Sequence, residues 1–275
     1  MKTILVPTDF SENARLALSC AATIAKAAEA ELVVLHAYTI LSPDPLYPQG
    51  MYDTLAESIS QEAHDRLKAY EAEVKPALSV PCRFESKMGL VADVIRREAK
   101  SYHADLIVMG TKGASGVLDN LLGSITSAVI ESHEFPVLTI PMGTQFNGLR
   151  TIVFGTDYRE IRNPLTIRPL TDLARAFLSK IHIINATPVP ESVGVEYTGE
   201  EQLERLLQDY EVCFDYTDEP DIEKALRDCV RQEKASLLVL IAHRRGFWKG
   251  LFHHSVTRSM ALHSQVPVLV LPDLP

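Results

Sequence analysis

Three segments of this chain occur twice, in the same order. Thr3-Ile-Leu-Val-Pro-Thr-Asp9 returns as Thr151-Ile-Val-Phe-Gly-Thr-Asp157, and Ala104-Asp-Leu-Ile-Val-Met109 returns as Ala235-Ser-Leu-Leu-Val-Leu240. Phe135-Pro-Val-Leu-Thr-Ile-Pro141 returns as Val266-Pro-Val-Leu-Val-Leu-Pro272. The last two pairs stand 131 residues apart, so the region between them aligns without gaps. The first pair stands 148 apart, so the second copy lacks 17 residues in its middle. A repeat of this period constrains the fold more than any local propensity, because both copies must adopt one plan. We expect two domains, 1–145 and 149–275, joined near the polar stretch Gly143-Thr-Gln-Phe-Asn-Gly148. Either half is long enough to bury a core.

Within the first copy, apolar runs predict strands at 2–8, 31–38, 80–86, 104–109 and 136–140. Helices are expected near 12–28, 53–75, 89–101 and 124–133. Continuous Ile/Leu/Val runs mark strands covered on both faces, as in parallel sheets. The alternation gives an α/β fold, a doubly wound, Rossmann-like parallel sheet of five strands in each domain. Ser11 is placed to cap the first helix. Leu41–Gly50, with three prolines, reads as a loop of the kind that covers a site.

The chemistry concentrates in Gly110-x2-Gly113-x9-Gly123-Ser124. It follows a buried strand and leads into a helix. Glycines permit close backbone approach and left-handed conformations, and free N–H groups at a helix start favour phosphate. The Ser124 hydroxyl adds a capping or phosphate-binding group. Lys112 brings positive charge to the loop. Asp9 closes the first strand and offers a carboxylate to a sugar or a base edge. In open α/β sheets ligands bind beyond the carboxyl ends of the strands, so Asp9 and the glycine loop face each other if their strands are neighbours. Neither G-x-x-x-x-G-K-[ST] nor a strand followed by G-x-G-x-x-G is present. No base is poised over a phosphate, so no catalytic residue is assigned and any hydrolysis is expected to be slow.

These motifs, together with Val6-Pro-Thr-Asp9 and Phe135-Pro-Val-Leu138, resemble the universal stress protein family, and the two-copy length resembles its tandem members. The resemblance implies ATP (or ADP or AMP) as ligand, with Mg as the usual companion of a triphosphate. Carried over by position, Asp9 would contact the adenosine and Ala37 would lie near the adenine. Met109 and Gly110 would line the nucleoside. Lys112 and Gly113 would meet the phosphates, and Gly123, Ser124 and Ile125 would hold them at the helix start. The second half departs from the pattern: Gly110, Gly113 and Gly123 become Ile241, Arg244 and His254, and only the serine survives, as Ser255. That half is expected to bind no ATP. The resemblance also implies that the last strands, Phe135–Pro141 and Val266–Pro272, pair within the chain as a pseudo-symmetric dimer, with further homodimerisation left open.

The segment Ala242–Ser255 of the second half gathers cations, histidines and aromatics. Three readings stay open: packing by Phe247, Trp248 and Phe252; an anion or protein-partner surface on Arg244, Arg245 and Lys249; or metal binding by His243, His253 and His254. Adjacent histidines seldom converge on one ion, so no metal residue is assigned. His36 and His182 read as satisfied strand histidines. Glu57, Glu62, Asp65, Arg66 and Lys68, and likewise Gln202–Asp209, read as solvated helix faces. A net charge of −9 argues against nucleic-acid and anionic-membrane partners. The four cysteines read as buried thiols in a reducing compartment. The first strand is too soon polar for a signal peptide and no run approaches a membrane span, so a cytoplasmic location is expected. The leading expectation is a stress-response protein regulated by ATP. A slow ATPase or phosphoryl- or nucleotidyl-transfer enzyme, and an interaction protein without nucleotide, are the alternatives.

Overall fold

Ten strands form one continuous sheet in this computed structural model, which describes residues 1–40, 49–111, 113, 124–185, 198–243 and 254–275. The first half runs β1 (Thr3–Pro7), α1 (Glu12–Ala28), β2 (Glu31–Tyr38), α2 (Gln49–Val74), β3 (Cys82–Met88), α3 (Val91–Ser101), β4 (Leu106–Gly110), α4 (Ser124–Glu131) and β5 (Val137–Ile140). The second runs β6 (Thr151–Thr156), α5 (Arg168–Phe177), β7 (Lys180–Asn185), α6 (Thr198–Leu206), β8 (Val212–Tyr216), α7 (Ile222–Gln232), β9 (Leu237–Ala242), α8 (His254–His263) and β10 (Val268–Pro272). The strand and helix order matches the expectation in both copies. Two differences stand out. The helix α2 begins earlier, at Gln49, so Gly50 is helical, while 41–48 lie outside the described residues. The second copy's first helix begins only at Arg168.

Strand order is β3-β2-β1-β4-β5-β10-β9-β6-β7-β8. Each half is parallel within itself, and the halves join where β5 and β10 pair antiparallel, Leu138 opposite Leu269. Two tandem doubly wound domains are thereby packed as a pseudo-dimer. Alternate residues of each strand feed opposite faces, as the period of two requires: Ile4 and Val6 meet α1, while Leu5 faces α3 and α4. Both cores run unbroken across the junction. On one face Ala17, Leu18 and Ala21 of α1 lie with Leu170, Leu173 and Ala174 of α5; on the other, Val129 and Ile130 lie with Met260 and Ala261. The connection between the halves turns on Gly143 (φ 79°) and Gly148 (φ 94°), left-handed conformations that favour glycine.

Ser11 caps α1 as expected, accepting from the Ala14 amide at 3.2 Å. Cys20 and Cys229 are buried, and burial pushes each thiol up to about 12. Cys82 and Cys213 are only half-buried, because they sit on β3 and β8, the two outermost strands. The second helix face read as solvated also differs: Leu203 and Leu207 are core, and Gln202 spans to the Ile161 main chain. Among the described residues no helix is long and apolar enough to cross a membrane.

Leu138 is wholly buried at the junction. Leu138→Ala should cost about 2–5 kcal/mol. Because the cores are shared, far-ultraviolet and near-ultraviolet circular dichroism should lose midpoint together in denaturant titrations. Separated transitions would show that the halves unfold independently.

Candidate functional site

The carboxyl ends of β1 and β4 lie side by side, with β2 beyond β1, which is the switch point of the first half-sheet. After β1 the chain must turn sharply into α1. Phe10 takes a left-handed φ of 66°, and two side chains hold the turn: Thr8 Oγ1 accepts from the Phe10 amide (3.0 Å) and Asp9 Oδ1 accepts from the Ser11 amide (3.0 Å). The Phe10 ring packs on His36 (4.4 Å between centroids) and edge-on to Tyr70 (5.2 Å). Arg66 is exposed on α2, as expected, and its guanidinium lies 4.6 Å above Phe10.

Beyond these strand ends opens a cleft of about 320 Å³, within the range of small-molecule sites. Seven of the nine residues picked from the sequence line it together: Asp9, Ala37, Met109, Gly110, Gly113, Ser124 and Ile125. Lys112 and Gly123 lie outside the described residues. Sequence reasoning missed Pro7, Thr8, Ala14, Leu35, Val91, Ile95 and Thr126, which complete the walls. The walls divide chemically. Leu35, Ala37, Val91, Ile95 and Met109 make an apolar side, and Thr8, Asp9, Ser124 and Thr126 make a polar one. The first amides of α4 have no partner within their own helix and stand at the polar side.

The two described glycines of the motif differ in what they exclude. A Cβ on Gly113 would come within 2.8 Å of Asp9 Oδ2, so this glycine keeps the carboxylate in place across the cleft. A Cβ on Gly110 would meet the Asn13 side chain at 2.7 Å and its carbonyl at 3.1 Å. Asn13 is fully buried on α1 and donates Nδ2 to the Ile140 carbonyl at 3.0 Å. Gly110 thus serves the approach of α1 to the sheet. Thr126 Oγ1 donates to the Gly110 carbonyl at 3.1 Å and ties α4 to the end of β4.

His36 Nδ1 lies 3.0 Å from the Thr8 carbonyl, which only accepts, so Nδ1 carries a proton. Burial lowers the His36 pKa from its usual 6.5; the bond to Thr8 opposes this, and the Arg66 cation adds to the lowering. His182, the other strand histidine, stands between Glu233 (3.4 Å) and Asp215 (3.5 Å).

In the second half the same turn recurs with opposite surroundings. Tyr158 has φ 53°, Thr156 Oγ1 accepts from its amide (3.1 Å), and Asp157 Oδ1 accepts from Arg159 (3.3 Å). No helix follows at once. The Ile161 amide donates to Gln202 Oε1 (2.7 Å), and Gln202 Nε2 donates back to the Ile161 carbonyl (2.8 Å). Ile241 and Ile161, both buried, are the repeat counterparts in sequence of Gly110 and Asn13. The Asp157 side chain is 7% exposed, with Arg159 Nε at 3.0 Å and His243 Nε2 at 3.8 Å. His243 Nδ1 lies 3.0 Å from Asp273 Oδ2. Arg244–Phe252 and His253 lie outside the described residues, as does the side chain of His254.

The family model for universal stress proteins matches residues 1–141 and 148–272. Universal stress protein MJ0531 of Methanocaldococcus jannaschii is 32% identical over 139 residues, covering 50% of this chain and 81% of its own. A universal stress protein of Thermus aquaticus is 34% identical over 141 residues, covering 50% of this chain and 98% of its own. In fold, the crystal structure of a universal stress protein from Archaeoglobus fulgidus superposes with a TM-score of 0.76 at 19% identity, covering 99% of this chain and 98% of that one.

Gly110→Ala should cost about 1–3 kcal/mol through overpacking on buried Asn13. Gly113→Ala should stay within about 0.5 kcal/mol, because only the end of a side chain must move. Denaturant titrations of the two variants check the order. The pH dependence follows from His36. Its pKa is lower folded than unfolded, so the unfolded chain takes up the proton first. Its contribution to stability is intact above about 6.5 and is lost as pH falls below that value. His36→Gln, which keeps a donor for Thr8, should flatten the loss of melting temperature between about pH 7 and pH 5.

Proposed function

The chain belongs to the universal stress protein family, and from that premise we propose that its first half binds an adenine nucleotide, ATP with Mg, as a regulatory ligand. The observation that carries this reading is the convergence of Asp9, Gly113 and the amino end of α4 on one divided cleft. Its apolar side suits a base, and its polar side suits a ribose and phosphates. In this reading Asp9 accepts from the ribose or the base edge, while Ala37 and Met109 flank the adenine. Gly110 borders the nucleoside. Lys112 and Gly113 meet the phosphates, with Gly123, Ser124 and Ile125 presenting the helix start.

The second half, on the same reading, binds no ATP and serves pairing and partner contact. Three observations support it. Asp157 is already met by Arg159 and His243, isoleucines occupy the positions of Gly110 and Asn13, and the helix start has moved to Arg168. The two domains are taken as 1–145 and 149–275, and the protein as cytoplasmic.

Mass analysis of nucleotide released by denaturing freshly purified protein should find adenine nucleotide in a single equivalent, absent from a Gly123→Val variant. By calorimetry, Asp9→Ala should weaken MgATP binding about 10- to 100-fold, the loss of a charge-assisted hydrogen bond of about 1.5–3 kcal/mol. Nucleotide in neither preparation, with no uptake of added ATP, would overturn the reading.

A further inference from the structure

The helix that starts at the first cleft ends at the second half's strand ends. Because β5 and β10 pair antiparallel, the carboxyl ends of β6 and β9 lie along the opposite edge of the sheet from those of β1 and β4. α4 connects two parallel strands and must run back along the sheet. It therefore begins at Ser124 on the cleft and delivers its last turn to the mouth of the other half.

Side chains fix it at both ends. Thr126 Oγ1 donates to the Gly110 carbonyl (3.1 Å) at the end of β4. Just past the helix, His133 adopts φ 52° and is 7% exposed, with Nδ1 3.1 Å from the Ala242 carbonyl at the end of β9. That carbonyl can only accept, so His133 Nδ1 donates. The Asp273 amide reaches the same carbonyl at 3.4 Å. The Asp273 carboxylate in turn holds His243, whose other nitrogen faces Asp157. A second tie, Glu131 to Arg258 of α8 at 3.5 Å, is half-exposed and weaker. Eight helical residues span only about 12 Å, so α4 transmits displacement along its axis rather than bending. The repeat counterparts of His133 and Ala242 are Ser264 and Thr111, so this histidine is particular to the first half's position.

We propose that α4 is a strut coupling the two halves: occupancy of the first cleft sets the geometry of Ala242, His243 and Asp273 through His133. The inference rests on the nucleotide reading of that cleft. An anion held by the first amides of α4 favours one axial position of the helix, and His133 passes that position to the Ala242 carbonyl. Such a ligand acts only through its differential affinity for the two positions, and the coupling is reciprocal.

Hydrogen exchange by mass spectrometry on the full chain, with and without saturating MgATP, tests this, with calorimetry on the same samples. ATP should slow exchange at Asp273 and in α8 about fivefold, the low end of usual coupling. The effect should vanish in His133→Ala, which still binds ATP. It should return in His133→Asn, whose amide donates and which tolerates a positive φ. ATP bound without change in the second half, or the same change in His133→Ala, would overturn the strut. A ligand-free arm separates the two ideas: His243→Ala should alter exchange in the first turn of α4, and should not when combined with His133→Ala. If that arm holds while calorimetry finds no ATP, the nucleotide reading falls and the strut stands. If nothing propagates, the strut falls whatever the cleft binds.

Discussion

The antiparallel contact of β5 with β10 is the constraint on which the rest of this structure depends. Each half-sheet alone would end in a flat apolar edge strand, a template for aggregation. Pairing the two edges removes both and leaves β3 and β8 outermost. Those strands carry Arg83, Glu85 and Lys87, and Asp215, which discourage further pairing. The pairing also joins the cores, so neither half owns its hydrophobic face. Its direction is as consequential as its existence. An antiparallel junction sends the two sets of strand ends to opposite edges, and only then does a short helix such as α4 reach from one to the other.

The halves share a backbone plan but diverge through compensated exchanges. In the first, Gly110 admits Asn13, and that polar pair lets α1 start directly after the Thr8–Ser11 turn. In the second, Ile241 and Ile161 occupy the same two positions, both buried. Burying an isoleucine contributes about 1.5–3 kcal/mol, so the exchange gains core where the first half keeps a cleft. The helix start moves with it. Arg159 stands where Ser11 capped α1, and the next capping side chain is Asn163, which accepts from the Leu165 amide ahead of a 3-10 turn at Pro164–Ile167. With the cap and the small residue replaced, the α-helix begins about two turns later, at Arg168.

Most of this architecture was legible because it rests on periodic signals. The repeat gave the two copies, apolar runs gave the strands, and the glycine spacing with Asp9 picked out seven residues that line one cleft. What escaped was contact across space between residues with no local signature. Asn13 and Gly110 look unrelated in sequence, and Gln202 looks like any solvated helix residue until the Ile161 main chain is beside it. Thr8 and Thr126 act by bonding main chain, which leaves no pattern of spacing. The one signal available and unused was the aromatic after each Thr-Asp pair. Phe10 and Tyr158 both need a left-handed φ, and a bulky residue there twice points to a held turn.

Asp9 and Asp157 show how the same local structure acquires different chemistry. Each lies just past the first strand of its half, between a threonine and an aromatic with positive φ whose amide that threonine's hydroxyl accepts from. Backbone geometry therefore does not distinguish them. Their surroundings do. Asp9 faces Gly113 across a cleft where glycine adds no side chain. Asp157 is shut in at 7% exposure, where an ionised carboxylate requires a compensating cation, and Arg159 supplies it at 3.0 Å with His243 behind. Asp157 is thus ion-paired within its own half. The pair that satisfies it runs on through His243 to Asp273, and so to the carbonyl that His133 holds from the other half. One chain of contacts therefore links the Asp157 turn of the second half to the end of α4 in the first.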